Sequence, residues 1–143
     1  MAIKQISVFL ENKEGRIKKA VETIAKAGIN IRALSIADNT KYGILRLIVS
    51  DNEKTKEVLK ANHFIVKENE VIVIGIDDEP NGLNSALELF EKAKINVEYL
   101  YAFVSSKTDK AIVVVKIEDY ESGIKSLQEG NADILTEEDI ANL

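Results

Sequence analysis

Two short stretches decide the fold: Lys26-Ala27-Gly28-Ile29-Asn30-Ile31 and Lys92-Ala93-Lys94-Ile95-Asn96-Val97. They are near copies, 66 residues apart. At the same offset Gly15-Arg16-Ile17 falls on Asn81-Gly82-Leu83. Ser50-Asp51 falls on Glu118-Asp119 at an offset of 68, with the two extra residues in the polar stretch 105–110. A repeat of this length marks a duplicated structural unit. It divides the chain into halves 1–69 and 70–143, joined at the polar Glu68-Asn69-Glu70. That connection is too short for a free linker, so the halves are expected to pack on each other.

Outward from the repeat, each half reads alike. Residues 3–10 alternate as a strand, with Ile6, Val8 and Leu10 on one face. After the turn Asn12-Lys13-Glu14-Gly15, the spacing of Ile17, Ala20, Val21 and Ile24 predicts an amphipathic helix with those four toward the core. Gly28 stands where a helix ends in a left-handed residue. Residues 29–37 and 43–49 read as strands joined by a hairpin at 38–42. Asp51 is placed to cap a second helix running to Ala61, and 64–67 reads as a short fourth strand. In the second half the strands are 71–76, 95–104, 111–117 and 132–135. Its helices carry Leu83, Ala86, Leu87 and Phe90, then Ile124 and Leu127 behind a capping Asp119. Thr136 to Asp139 has the form of a helix start, but so few residues follow that a loosely ordered tail is expected. The order βαββαβ, twice, gives an α+β fold: two tandem ferredoxin-like units, each an antiparallel sheet with helices on one face. Strands 71–74 and 112–115 are apolar on both faces. One face meets helices; the other needs the second half or a second chain, which points to sheet-to-sheet association and a homodimer.

Composition removes whole classes of chemistry. The 143 residues include no cysteine and one histidine, so thiolate zinc sites, iron–sulfur clusters, thiol nucleophiles and multi-histidine metal sites are excluded. A net charge of −5 argues against a nucleic-acid binder. Neither third strand carries the aromatics that stack RNA bases. No apolar run approaches the length of a membrane span and no signal peptide is evident, so a cytoplasmic protein is expected, with no membrane partner. His63 reads as a surface or edge histidine, Asp77-Asp78-Glu79 as favourable charge before a helix, and Glu137-Glu138-Asp139 as a solvated helix start. No catalytic motif is present, and an enzyme is not expected.

The turn before each first helix remains. A small residue there lets a ligand approach the backbone, and the helix start behind it offers N–H groups and a positive dipole end to a carboxylate. A plain tight turn would look the same. However, Asn30 and Asn96 interrupt the apolar opening of strand two at the same place in both halves, which suggests a shared role.

These features together resemble the ACT domain, a regulatory module that commonly binds amino acids. The family's turn has the form Asp/Asn-x-Pro-Gly-x-Leu; Asn12, Gly15 and Ile17 match it in the first half, and Asp78, Pro80 and Leu83 in the second. Glu14 stands for the proline and Asn81 for the glycine, with Gly82 just after. Gly28-Ile29-Asn30-Ile31 matches the later motif in full. The resemblance covers nearly the whole chain as two tandem copies and leaves no room for a catalytic domain. It implies a small amino acid at a domain interface. One site would join Asn12 and Gly15 to Asn96, its twin Asp78 and Asn81 to Asn30, and a separate enzyme or regulator would read the binding. It implies no cofactor. The alternative is a ligand-free assembly module with the same fold.

Overall fold

The computed structural model describes residues 2–38 and 41–143. The tip of the expected 38–42 hairpin, Asn39 and Thr40, lies outside the described residues. The chain falls into two compact units, Lys4–Asn69 and Glu70–Leu143, the latter with the N-terminal residues up to Ile3.

The first unit contains β1 (Ile3–Glu11), α1 (Arg16–Lys26), β2 (Ile31–Asp38), β3 (Tyr42–Val49), α2 (Asn52–Ala61) and the start of β4 (Ile65–Asp77). Its strand order is β2-β3-β1-β4. β1 and β3 are antiparallel, with Ile6 opposite Leu47 and Val8 opposite Leu45. All four are fully buried beneath Ala20, Ile24 and Leu59 of the two helices. The second unit continues along β4 to α3 (Gly82–Lys92), β5 (Val97–Val104), β6 (Lys110–Ile117), α4 (Tyr120–Glu129), β7 (Asp133–Ile134) and α5 (Glu137–Ala141). Its order is β5-β6-β4-β7. Its core is Ile72, Ile74, Val113, Val115 and Ile117 under Ala86, Phe90 and Leu127. Both units have the ferredoxin-like arrangement that alternation and helical spacing predict.

The four long helices close identically. Gly28, His63, Lys94 and Asn131, one residue past each C-cap, all have positive φ, between 55° and 74°. The next residue's N–H then reaches back to the last buried turn. Ile29 donates to Ile24 O (3.3 Å), Phe64 to Leu59 O (3.0 Å), Ile95 to Phe90 O (2.9 Å) and Ala132 to Leu127 O (2.9 Å). These bonds satisfy carbonyls that a helix end otherwise leaves orphaned and set an apolar pair over each core. His63 therefore has the backbone role of its repeat counterpart Asn131.

Four expectations need correction. First, 64–67 and 71–76 are not separate strands: β4 runs unbroken through Glu68-Asn69-Glu70. Polar side chains within it have partners, since Ser7 Oγ donates to Asn69 Oδ1 at 3.0 Å and Glu68 meets Lys56 at 3.4 Å and Lys4 at 3.6 Å. Second, the C-terminal tail is a helical turn. Thr136 and Asp139 form a reciprocal capping box, and Ile140 is buried. Third, Val71, Val73, Ile112 and Val114, on the sheet face away from the second unit's helices, are at most 2% exposed in the single chain. Of the two coverings expected for that face, the second half or a second chain, its burial within one chain does not call for the latter. Fourth, Ile17 and Leu83 are not core residues: they are 46% and 36% exposed. Thr23 takes the inward place in α1, its hydroxyl donating to Lys19 O at 2.8 Å.

Candidate functional site: the strand-to-helix turns

The turn between β1 and α1 starts from a backbone tether, the Asn12 N–H donating to Lys41 O at 2.8 Å. The chain reverses through Gly15, whose φ of +84° is left-handed. Apart from Gly15 itself and its chain neighbours, no atom lies within 4 Å of where a Cβ would stand, so the space over it is open. Gly15 O accepts the first helical bond, from Lys19 N–H at 3.0 Å. Arg16 N–H donates to Lys13 O, but the N–H groups of Ile17 and Lys18 have no acceptor among the described residues. A glycine N-cap has no side chain to fill them. By contrast Asp51, Asp119 and Thr136 accept from N–H groups of α2, α4 and α5.

An open groove of about 830 Å³ lies over this turn. Asn12 and Gly15 line it at one end, and Ile17 and Val21 give it an apolar floor. Its charges are largely committed. Lys18 and Lys26 each hold Glu22 at 2.7 Å, and Lys13 holds Glu11 at 2.8 Å. The Lys18 hydrogen bond, then that of Lys26, pushes the Glu22 carboxyl down to about 2, so it stays ionised at neutral pH. Glu11 is also lowered, chiefly by its hydrogen bond with Lys13. Besides the further donors of the exposed Lys13 and Lys18 ammoniums, the helix-start N–H groups are open to an anion, beside an apolar surface. That combination suits a carboxylate with a short side chain attached.

The turn before α3 is built differently. Asn81 has φ −94°, so the left-handed geometry of Gly15 is not repeated. The Asn81 amide is also occupied. Its Nδ2 donates to Ser85 Oγ at 3.0 Å, and its Oδ1 accepts from Asn84 Nδ2 at 3.0 Å. Gly82 lies so close to Asp77 that a Cβ would strike the Asp77 carbonyl oxygen. Asp78 is exposed at this turn.

The two repeated asparagines lie far from their own unit's turn. Asn30 precedes β2, and its N–H and O bond Ser50 Oγ and Ser50 N–H at 3.0 Å each. In the same sheet Glu11 pairs with Tyr42 and Ile31 with Val49, opposite ends of β3. At about 3.3 Å per residue those ends are roughly 23 Å apart. Asn96 is exposed before β5, and Val97 and Asp77 likewise pair with opposite ends of β6. Within one unit, then, Asn12 and Gly15 share a groove, Asp78 and Asn81 share a turn, and neither asparagine joins its own turn. Sequence reasoning missed Ile17 as groove floor. The signal was its repeat partner Leu83, an apolar residue likewise directly after a turn.

Among the described residues no cluster of His, Asp and Glu is arranged to hold a metal ion, and no helix is long and apolar enough to cross a membrane. No significant match is found among curated proteins. Among solved structures, protein BT0572 from Bacteroides thetaiotaomicron superposes with a TM-score of 0.93 at 38% identity, over 100% of this chain and 98% of that one. The ligand-free regulatory subunit of aspartate kinase from Thermus thermophilus superposes at 0.62 with 14% identity, over 88% and 91% of the two chains. The same subunit from Thermus flavus gives 0.61 at 14%, over 90% and 92%. The two aspartate kinase subunits share the fold of this chain. The family model described as an ACT domain pair matches residues 1–143, the full length of the repeat read above. The chain belongs to the ACT domain pair family.

Proposed function

We propose that this protein is a non-catalytic amino-acid-binding regulator, acting as a homodimer on a separate enzyme or regulator. The observation that carries the reading is the β1–α1 turn. There an open left-handed glycine, two unclaimed helix-start N–H groups and an apolar floor lie in one groove. The ligand's α-carboxylate takes the N–H groups of Ile17 and Lys18. Its ammonium lies toward Asn12, and its side chain rests on Ile17 and Val21. A repeated strand-two asparagine, Asn30 or Asn96, is supplied by another ACT unit and fixes orientation. The turn at Asp78 and Asn81 is the weaker site, because its amide is already bonded and its backbone is closed by Gly82.

The energetics permit this. Micromolar binding needs about −8.2 kcal/mol. Small ligands of about nine heavy atoms reach that at well under the ceiling of about −1.5 kcal/mol per atom. A thermal-shift screen of the twenty amino acids tests the reading. At about 100 times Kd the stabilisation is about 2.7 kcal/mol, or roughly 8 °C for a chain of this size. Asn12→Ala should reduce the shift, and Asn81→Ala should leave it nearly intact. No shift with any amino acid at millimolar concentration would establish the ligand-free assembly module instead.

A further inference from the structure

The two units close the same corner of the fold differently. In the first, Asn52 and Lys56 on α2, Glu68 on β4 and Lys4 on β1 form one polar cluster. Asn52 Nδ2 donates to Glu68 Oε2 at 3.2 Å and to Lys4 O at 3.0 Å. Lys56 and Lys4 hold the same carboxylate at 3.4 Å and 3.6 Å. The repeat puts Tyr120, Ile124, Thr136 and Glu70 at these four positions in the second unit. No hydrogen bond or ion pair joins those four side chains. The Thr136 hydroxyl is spent on its own helix, donating to Asp139 Oδ2 at 2.9 Å.

In place of the cluster the second unit has a cavity of about 290 Å³. That is roughly twice the volume of an apolar cavity that accepts a benzene ring, and near the lower end of ligand pockets, about 300 Å³. Its apolar walls come from Ile72 on β4, Ile124 on α4, and Ile134 and Leu135 of the C-terminal segment. Tyr120 and Gln128 line it from the same stripe of α4 as Ile124. Neither the Tyr120 hydroxyl nor the Gln128 amide has a hydrogen-bond partner among the described residues. Burial, then the charges of Glu70 and Glu121, push the Tyr120 hydroxyl above its usual range. It therefore stays protonated at neutral pH and can both donate and accept. Among the described residues no lysine or arginine lines the cavity, and the two nearby carboxylates repel an anion.

We propose that this cavity is a second ligand site, separate from the β1–α1 turn, for a small neutral molecule made of one ring or branched chain ending in a hydroxyl. The apolar part lies against Ile72, Ile124 and Leu135, and the hydroxyl meets Tyr120 and Gln128. An α-carboxylate finds no partner here, so the site takes a different class of ligand from the amino-acid groove. The C-terminal segment forms one wall and is tied to β4 by the Leu135 N–H to Val73 O bond at 2.8 Å. An occupant therefore holds that segment down.

NMR titration of the full chain with benzyl alcohol, and in parallel with benzoate, tests this. Benzyl alcohol should give saturable shifts at millimolar concentration, centred on Ile72, Ile124 and Leu135, and should slow hydrogen exchange in 135–141. Benzoate should give none. Tyr120→Phe removes one hydroxyl alone and should weaken benzyl alcohol about two- to tenfold, the loss of one hydrogen bond. Ile124→Phe extends into the cavity without adding charge and should abolish the shifts while the remaining resonances stay native. No saturable shift, or shifts scattered over both units, overturns the site. Benzoate binding as well as benzyl alcohol overturns the ligand class. A folded Ile124→Phe variant that binds as the native chain does overturns the location. The amino-acid reading stands or falls separately, on the thermal-shift screen above.

Discussion

The repeat allows one backbone site to be perturbed in both directions. Gly28 and Lys94 occupy the same position after α1 and α3, with φ of +74° and +57°. Around Gly28 no atom lies within 4 Å of the Cβ position, so Gly28→Ala introduces no clash and changes only the backbone term. A left-handed conformation costs a non-glycine residue about 1–2 kcal/mol. The reduced freedom of alanine in the unfolded chain returns about 0.4–1 kcal/mol. The net loss is about 0.5–1 kcal/mol. With an unfolding entropy of about 2.1 cal/mol/K per residue, that lowers Tm by roughly 2–3 °C. Lys94→Gly runs the argument backwards and should raise Tm by a similar amount, since the Lys94 N–H to Glu91 O bond at 3.0 Å involves only backbone and survives. Circular-dichroism melts and urea titrations of both variants measure this. A neutral Gly28→Ala, or a Lys94→Gly that destabilises, would refute the assignment of the cost to backbone conformation.

The two turns should respond to alanine unequally. Gly15→Ala meets open space and pays only the left-handed term, about 1 kcal/mol. Gly82→Ala drives a methyl into the Asp77 carbonyl, which belongs to the backbone and cannot swing away, and should cost more than about 2 kcal/mol in urea unfolding; equal costs would show that the second turn shifts freely. The C-terminal cap should be pH-dependent. The Thr136 N–H bond lowers the Asp139 carboxyl below its ordinary range. The cap's contribution is therefore present in full above about pH 4 and lost as pH falls through the depressed folded value. An NMR titration should show the Thr136 and Asp139 amides moving with an apparent pKa below about 3.9, and hydrogen exchange in 137–141 rising there; titration at the ordinary value would show that the box is not formed.

What could be read from the residues was whatever depends on one element at a time. Alternation in 3–10 and the cap at Asp51 specify local geometry, and both appear as read: Asp51 accepts from Lys54 N–H at 3.0 Å. Misreadings arose where a partner distant in sequence changed the local answer. Glu68-Asn69-Glu70 looked like a break because three polar residues interrupt an apolar run. Lys4, Lys56 and Ser7 reach Glu68 and Asn69 from elsewhere, so the strand continues without cost. The α1 stripe was drawn through apolar residues alone. That overlooked Thr23, which is buried because its hydroxyl is satisfied by its own helix, and it drew Ile17 inward. The tail is short, yet the buried Ile140 anchors it.

The candidate site was only half legible for a related physical reason. A helix closure asks for one backbone conformation, which glycine supplies freely here and histidine, lysine and asparagine supply at a cost of about 1–2 kcal/mol. Residue identity can change there while geometry stays, which is why Gly28 predicts the conformation at Lys94. The turn before α1 has no such tolerance. Exchanging Gly15 for Asn81 is accompanied by a φ of opposite sign. It also adds an amide that bonds Ser85 and Asn84 and moves the glycine one place on, against Asp77. The two halves therefore share a fold and differ at the one place where a ligand would meet the backbone. A pseudo-symmetric pair of equal sites does not follow from the duplication. The unequal turns favour the open groove at Asn12 and Gly15 over a turn whose Asn81 amide is already bonded to Ser85 and Asn84.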